Sequence, residues 1–213
     1  ELMRRGAATS SAPAGLSANA FRGNEYGASV YAKGAIALES IRRAHGRTRF
    51  EAALRAYAIE QRFAHPTPED LGRNFDAVYG AGFAEHTLFP LLLDSEESNV
   101  SLVRARATKA GARHLTHVTG RRSGVVSLPT WIAAYDLSGK ELARVAWPAH
   151  VSTLETSFDT QARVARVVAD PDRALLVDSD ARDQAIVLDA AAPPSLFTRL
   201  LGFLPLLLSW VGP

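Results

Sequence analysis

The hydrophobic period changes near Asn99, and that change limits the folds open to this chain of 213 residues. Over 24–80 the apolar residues recur three and four positions apart, as on one face of a helix. From Val100 onward they come instead as short β-prone runs between turn residues, at 100–107, 115–118, 125–135, 142–147, 164–169 and 174–177. Helices grouped first and strands grouped after them make an α+β protein rather than an alternating α/β one. The expected architecture is an α-helical bundle, an antiparallel β-sandwich and a short apolar C-terminal helix. The corresponding boundaries are 1–23 (linker or loop), 24–98 (helical), 99–191 (sandwich) and 192–213 (apolar helix).

Local signals place the helices. In 24–44, Val30, Ala37 and Ile41, with Tyr31, Ala35 and Leu38 beside them, make an apolar stripe. Arg42, Arg43 and His45 close that helix with cations or donors suited to its dipole, and Gly46 stops it. In 48–63, Thr48 and Glu51 have the spacing of a capping box, and Phe50, Leu54, Tyr57 and Ala58 supply the buried face. Thr67-Pro68-Glu69-Asp70 opens a third helix with a cap, a proline in the first turn and two acids, and Leu71, Phe75, Val78 and Tyr79 face inward. Among the strands, Ser138-Gly139 reads as a tight hairpin turn and Asp170-Pro171-Asp172-Arg173 as another.

Composition excludes several classes. A formal net charge of +2 with scattered arginines leaves no basic stripe for nucleic acid. The absence of cysteine removes disulfides and Cys-ligated zinc. There is no Gly-rich phosphate loop, no G-x-S-x-G and no H-E-x-x-H. His114 and His117 stand three apart in a β-prone run and so point to opposite faces, which makes them, even with His150, a poor metal site. The acids Asp170, Asp172, Asp178, Asp180 and Asp183 lack the spacing of a calcium loop and read as turn and cap residues. No metal is therefore expected on this chain alone.

After Pro193-Pro194 the chain becomes leucine-rich over 196–211, interrupted by Gly202 and Pro205. From Leu200 onward it falls short of the ~20 residues needed to span a bilayer. Two readings stay open: a membrane anchor that continues past Pro213, or an apolar helix docking on another part. The first makes 196–211 a point of membrane contact and the protein membrane-associated. A start at Glu1 and an end within an apolar run suggest a piece of a longer protein.

The string Glu25-Tyr26-Gly27-Ala28-Ser29-Val30-Tyr31-Ala32-Lys33-Gly34-Ala35 carries the chemistry. Two tyrosines five residues apart on an α-helix are separated by roughly 500° of rotation, on neighbouring faces. Gly34 costs ~1 kcal/mol in a helix interior, which suggests a close approach by another backbone or a ligand. Read plainly, Tyr26 and Tyr31 are half-buried helix residues with satisfied hydroxyls.

The string also resembles the Tyr-x-x-x-x-Tyr-x-Lys-Gly-Ala segment of the gluzincin zinc aminopeptidases, the family of membrane alanine aminopeptidase and leukotriene hydrolase. Phe50 to Tyr57, Arg62-Phe63-Ala64-His65 and Thr67-Pro68-Glu69-Asp70 look like the helical segment that follows it in that family. The stretch from Val167 to Asp178 resembles the closing strands of the family's β-domain. The resemblance implies the C-terminal part of a thermolysin-like catalytic domain followed by a β-sandwich. It implies Tyr31 as the donor to the oxyanion of the tetrahedral intermediate, Tyr26 as a residue lining the same pocket, and Lys33 and Gly34 as structural positions. It further implies zinc in the parent protein, bound outside this chain, and a peptide substrate. Two classes of function follow: the C-terminal portion of an aminopeptidase, or a non-catalytic helical and sandwich module for partner binding or membrane attachment.

Overall fold

Thr67 shows how local chemistry sets the helical half. Its backbone N–H donates to the Asp70 carboxylate at 2.7 Å in a reciprocal capping box, with Pro68 in the first turn. In the computed structural model, which describes residues 12–94, 98–125, 128–178 and 180–188, the helix that follows is α3 (Pro68–Tyr79). Before it come α1 (Gly34–His45), entered through a π-helical segment Gly27–Lys33, and α2 (Arg47–Glu60). A second π-helical segment, Ala84–Leu88, leads into the short α4 (Phe89–Leu92). The helices close on Phe75, which is fully buried, stacks on Tyr79 with centroids 5.8 Å apart and meets Phe50 edge to face at 5.9 Å. Between α3 and α4 the Phe89 ring packs directly on the α3 backbone at Gly72. A Cβ there would lie 2.6 Å from Phe89 Cζ.

One expected start is corrected. The cap of α2 is Gly46, and Thr48 lies inside the helix, so Thr48 and Glu51 form no capping box. Glu51 instead pairs with Arg47 one turn away at 2.5 Å.

The β half consists of β1 (Ser98–Ala110), β2 (Arg113–Gly124), β3 (Thr130–Tyr135), β4 (Glu141–Trp147), β5 (Thr153–Thr160), β6 (Arg166–Ala169) and β7 (Ala185–Val187). They form two antiparallel sheets, ordered β1-β2-β5 and β4-β3-β6-β7. Val100, Leu102, Val118 and Phe158 of the first sheet share one core with Ile132, Ala134, Trp147 and Val167 of the second. Gly120 lets the two faces meet: a Cβ there would lie 2.8 Å from Trp147 Cη2 and 3.2 Å from Ile132 Cδ1. A helical region followed by an antiparallel sheet region is thus the architecture expected from the change of period.

The hairpin at Ser138-Gly139 is present, with Gly139 at φ +88° and the Asp136 N–H donating to the Lys140 carbonyl. The turn at 170–173 is also present, closed by the Arg173 N–H on the Asp170 carbonyl at 3.0 Å. The strand expected at 174–177 is absent. Ala174 and Leu175 are buried, but their N–H groups donate to the Asp170 carboxylate and are not free to form a ladder. β5 escapes sequence patterning because its inward positions include Thr156 and Thr160 as well as Phe158.

The two halves join through α1. Ser40 is fully buried and donates to the Ile36 carbonyl, while its Oγ accepts the Leu176 N–H at 3.1 Å. The expectations of membrane contact and of a membrane-associated location are overturned: among the described residues no helix is long and apolar enough to cross a membrane. The segment 196–211, on which they and the apolar C-terminal helix rested, lies outside the described residues.

Candidate functional site

Tyr26 and Tyr31 stand five residues apart, with Tyr26 capping and Tyr31 inside the π-helical segment Gly27–Lys33; Phe21, five residues earlier, lies in extended backbone before it. In a π-helix the N–H bonds the carbonyl five residues back. The Gly34 N–H does this to Ser29 and also meets Tyr31 O. Side chains five apart are then brought onto one side. Tyr26 and Tyr31 meet edge to face with centroids 5.7 Å apart at 81°, and Phe21 packs on Tyr26 in the same manner at 5.4 Å. The expectation that the tyrosines occupy neighbouring faces of an α-helix is therefore corrected by the change of helix type.

The same change moves the buried stripe. Ala28, Ser29 and Ala32 face inward, with Gly34, Ile36, Ala37, Ser40 and Ile41 continuing it. Tyr31 is 65% exposed and Tyr26 38% exposed, so neither is the half-buried packing residue of an α-helical reading. Among the described residues the Tyr31 hydroxyl has no hydrogen-bond partner. Small residues on the inner side let the segment sit close to its neighbours. Ser29 Oγ donates to the Ala12 carbonyl at 2.8 Å, and the Gly15 N–H donates to the Leu93 carbonyl at 2.8 Å. Phe21 escaped sequence reading because it reaches Tyr26 from extended backbone outside the helix, where no helical interval points to it.

Gly34 does not mark a close approach. A Cβ at that position would sit 3.6 Å from Leu92 Cδ1, an ordinary van der Waals contact. His45 also differs from expectation. It is enclosed by the rings of Tyr79 at 5.1 Å and Phe83 at 5.4 Å. Burial, with Arg49 nearby as the lesser cause, lowers its pKa from 6.5 to about 4. It is neutral near pH 7 and is not a cationic helix terminus.

Among the described residues no group of three or more His, Cys, Asp or Glu side chains could hold a metal ion. The acids serve the backbone instead. Asp170 accepts from Thr130 Oγ1 and from the N–H groups of Ala174 and Leu175 at 2.8–2.9 Å. Asp178 accepts from the Val100 N–H and Gln184 Nε2, and Asp180 pairs with Arg182. His117 is exposed and its Nδ1 lies 2.7 Å from Ser157 Oγ, while His114 is half-buried at the neighbouring end of β2. The described residues do not offer the three protein ligands around an open position that a catalytic zinc needs. In comparison with known proteins, the chain matches no family model and no curated protein, so its likeness to the gluzincin aminopeptidases rests on the residues quoted above.

Proposed function

We propose that this chain is the C-terminal portion of a zinc-dependent aminopeptidase that removes N-terminal residues from peptides, with the zinc site outside the chain. In this reading the helical half closes a thermolysin-like catalytic domain, and the two sheets are the β-sandwich that follows it. The observation that carries the reading is the Tyr31 phenol. It stands on a helical segment bonded to Ala12 through Ser29, is 65% exposed, and makes no hydrogen bond to another described residue, which leaves its O–H open to a ligand.

What the chain contributes is a neutral O–H donor. A carbonyl oxygen that gains negative charge as its carbon turns tetrahedral accepts such a hydrogen bond more strongly in the transition state than in the ground state. The Tyr26 ring limits the orientations open to Tyr31, which lowers the reorganisation needed at the moment of reaction. The test is steady-state kinetics of Tyr31→Phe and Tyr26→Phe in the full-length parent. A large fall in kcat for the first and a small one for the second supports the reading; wild-type kcat for Tyr31→Phe refutes it.

A second reading, a non-catalytic partner-binding module, is favoured by Phe63. That side chain is 95% exposed on the α2–α3 connection, and its backbone sits at φ +63°. A bulky residue in that region is held under local strain. The coding sequence upstream of Glu1 separates the two readings. H-E-x-x-H followed by a glutamate favours the peptidase, and its absence favours the module.

A further inference from the structure

The outer face of the β1-β2-β5 sheet holds a cleft of about 420 Å³, with Arg104 and Arg106 on one wall and Glu155 and Ser157 on the other. Strand register builds it. Arg104, Thr119 and Glu155 lie directly opposite one another across the three strands, and Arg106, His117 and Ser157 form the adjacent row. Residues two apart on a strand share a face, so all six side chains stand on the same side.

A bulge is what puts the arginines there. Ser98, Val100 and Leu102 alternate into the core, and that phase continued would bury Arg104 and Arg106. The register slips between Leu102 and Arg104, leaving Val103 as the extra residue, and the even-numbered positions beyond it turn outward. Bulges of this kind re-aim side chains beside binding sites.

The charges on the walls are uncompensated. Arg113, Arg144 and Arg182 each pair with a carboxylate, whereas Arg104, Arg106 and Glu155 form no ion pair among the described residues. Arginine on one side, a carboxylate on the other and hydroxyl and imidazole groups between them form a two-signed recess. The walls stand two inter-strand spacings apart, or roughly 9.5 Å. An extended chain advances ~3.3–3.6 Å per residue, so the two ends of a dipeptide fall between the walls once the side chains lean inward. The volume lies within the roughly 300–1,000 Å³ of small-ligand sites.

We propose that this cleft binds a zwitterionic ligand of the amino-acid or short-peptide class, its carboxylate on Arg104 and Arg106 and its ammonium group on Glu155. Ser157 Oγ is bonded to His117 Nδ1, which leaves Nε2 as the imidazole's second contact for the ligand. Bidentate guanidinium–carboxylate geometry selects the anionic end, and Glu155 discriminates against ligands whose amino end is blocked. The proposal is independent of the aminopeptidase reading and concerns residues on different elements.

The test is a titration of the whole chain with glycylglycine, N-acetylglycylglycine, glycylglycine amide and inorganic phosphate, followed by backbone amide NMR shifts. Glycylglycine is expected to shift resonances of β1, β2 and β5 and to bind more tightly than the other three probes. Arg104→Gln and Arg106→Gln should each weaken it about twofold to fivefold, as befits solvent-exposed ion pairs. Glu155→Gln should abolish the preference for the free amino end while leaving the folded spectrum intact. The proposal is overturned if phosphate binds as well as glycylglycine, if the acetylated peptide binds as well as the free one, or if no resonance on these strands moves.

Discussion

Gly120 on β2 is a place where one methyl group should be costly. An added Cβ would lie 2.8 Å from Trp147 Cη2, 2.9 Å from Trp147 Cζ3 and 3.2 Å from Ile132 Cδ1. The indole cannot give way. Trp147 is fully buried, its Nε1–H donates to the Val151 carbonyl at 2.7 Å, and the Arg122 guanidinium covers its ring at 4.9 Å. Arg122 is in turn tied to the Leu128 carbonyl at 2.5 Å, with burial lowering its pKa to about 10. Overpacking of this kind costs ~1–3 kcal/mol, and the gain from replacing glycine within a strand offsets roughly 0.5–1 kcal/mol of it. Gly120→Ala should therefore destabilise the chain by about 1–2 kcal/mol. That corresponds to a fall in Tm of roughly 3–6 °C for a chain of this size. Urea unfolding followed by tryptophan fluorescence and by circular dichroism measures it, with coincident transitions as the check on two-state behaviour. A double-mutant cycle with Trp147→Leu locates the cause, because removing the ring should erase most of the alanine penalty. Wild-type stability in Gly120→Ala, or an undiminished penalty beside Leu at 147, would refute the reasoning.

Gly34→Ala meets Leu92 at an ordinary 3.6 Å and should stabilise the chain by ~0.5–1 kcal/mol, and a loss of stability measured by urea unfolding would refute this. Asp170→Ala removes the acceptor of three buried or part-buried donors and should cost ~2–4 kcal/mol, so a change within 0.5 kcal/mol (about the noise for surface sites) counts against its role. His45 is held neutral in the folded state, with its pKa lowered from 6.5 to about 4, so the unfolded chain takes up its proton first. Stability should fall as pH drops from 6.5 towards 4 and then level with respect to this group, and His45→Phe should flatten that slope. Glu39, held at about 2 chiefly by Arg42, loses its contribution only below 4.5, which keeps the start of the His45 window separate. If the aminopeptidase proposal holds, Tyr31→Phe in the full-length parent should lower kcat about 100- to 1,000-fold with KM little changed, and Tyr26→Phe should do much less.

The order of helices and strands was legible in the sequence because it depends on features only a few residues long. Thr67-Pro68-Glu69-Asp70 caps α3 whatever surrounds it, Asp136 and Gly139 make their hairpin locally, and the apolar period switches where the backbone does. What the chain could not disclose alone were features set by contacts distant in sequence or by an unusual backbone. Tyr26 and Tyr31 share a side because Gly27–Lys33 is π-helical, and α-helical spacing assigns them to different faces. Gly34 was the suspicious glycine by propensity, yet the close approaches are at Gly72 and Gly120, against Phe89 and Trp147 from other elements. His45 looked like a charged helix end until Tyr79 and Phe83 closed around it and removed its water. Arg104 and Arg106 share the phase of the buried Val100 and Leu102, and only the register slip against β2 turns them outward. Propensity, capping and period act between neighbours in sequence and can be read there. Ring enclosure, sheet register and the space left beside a glycine depend on partners that folding alone brings into contact.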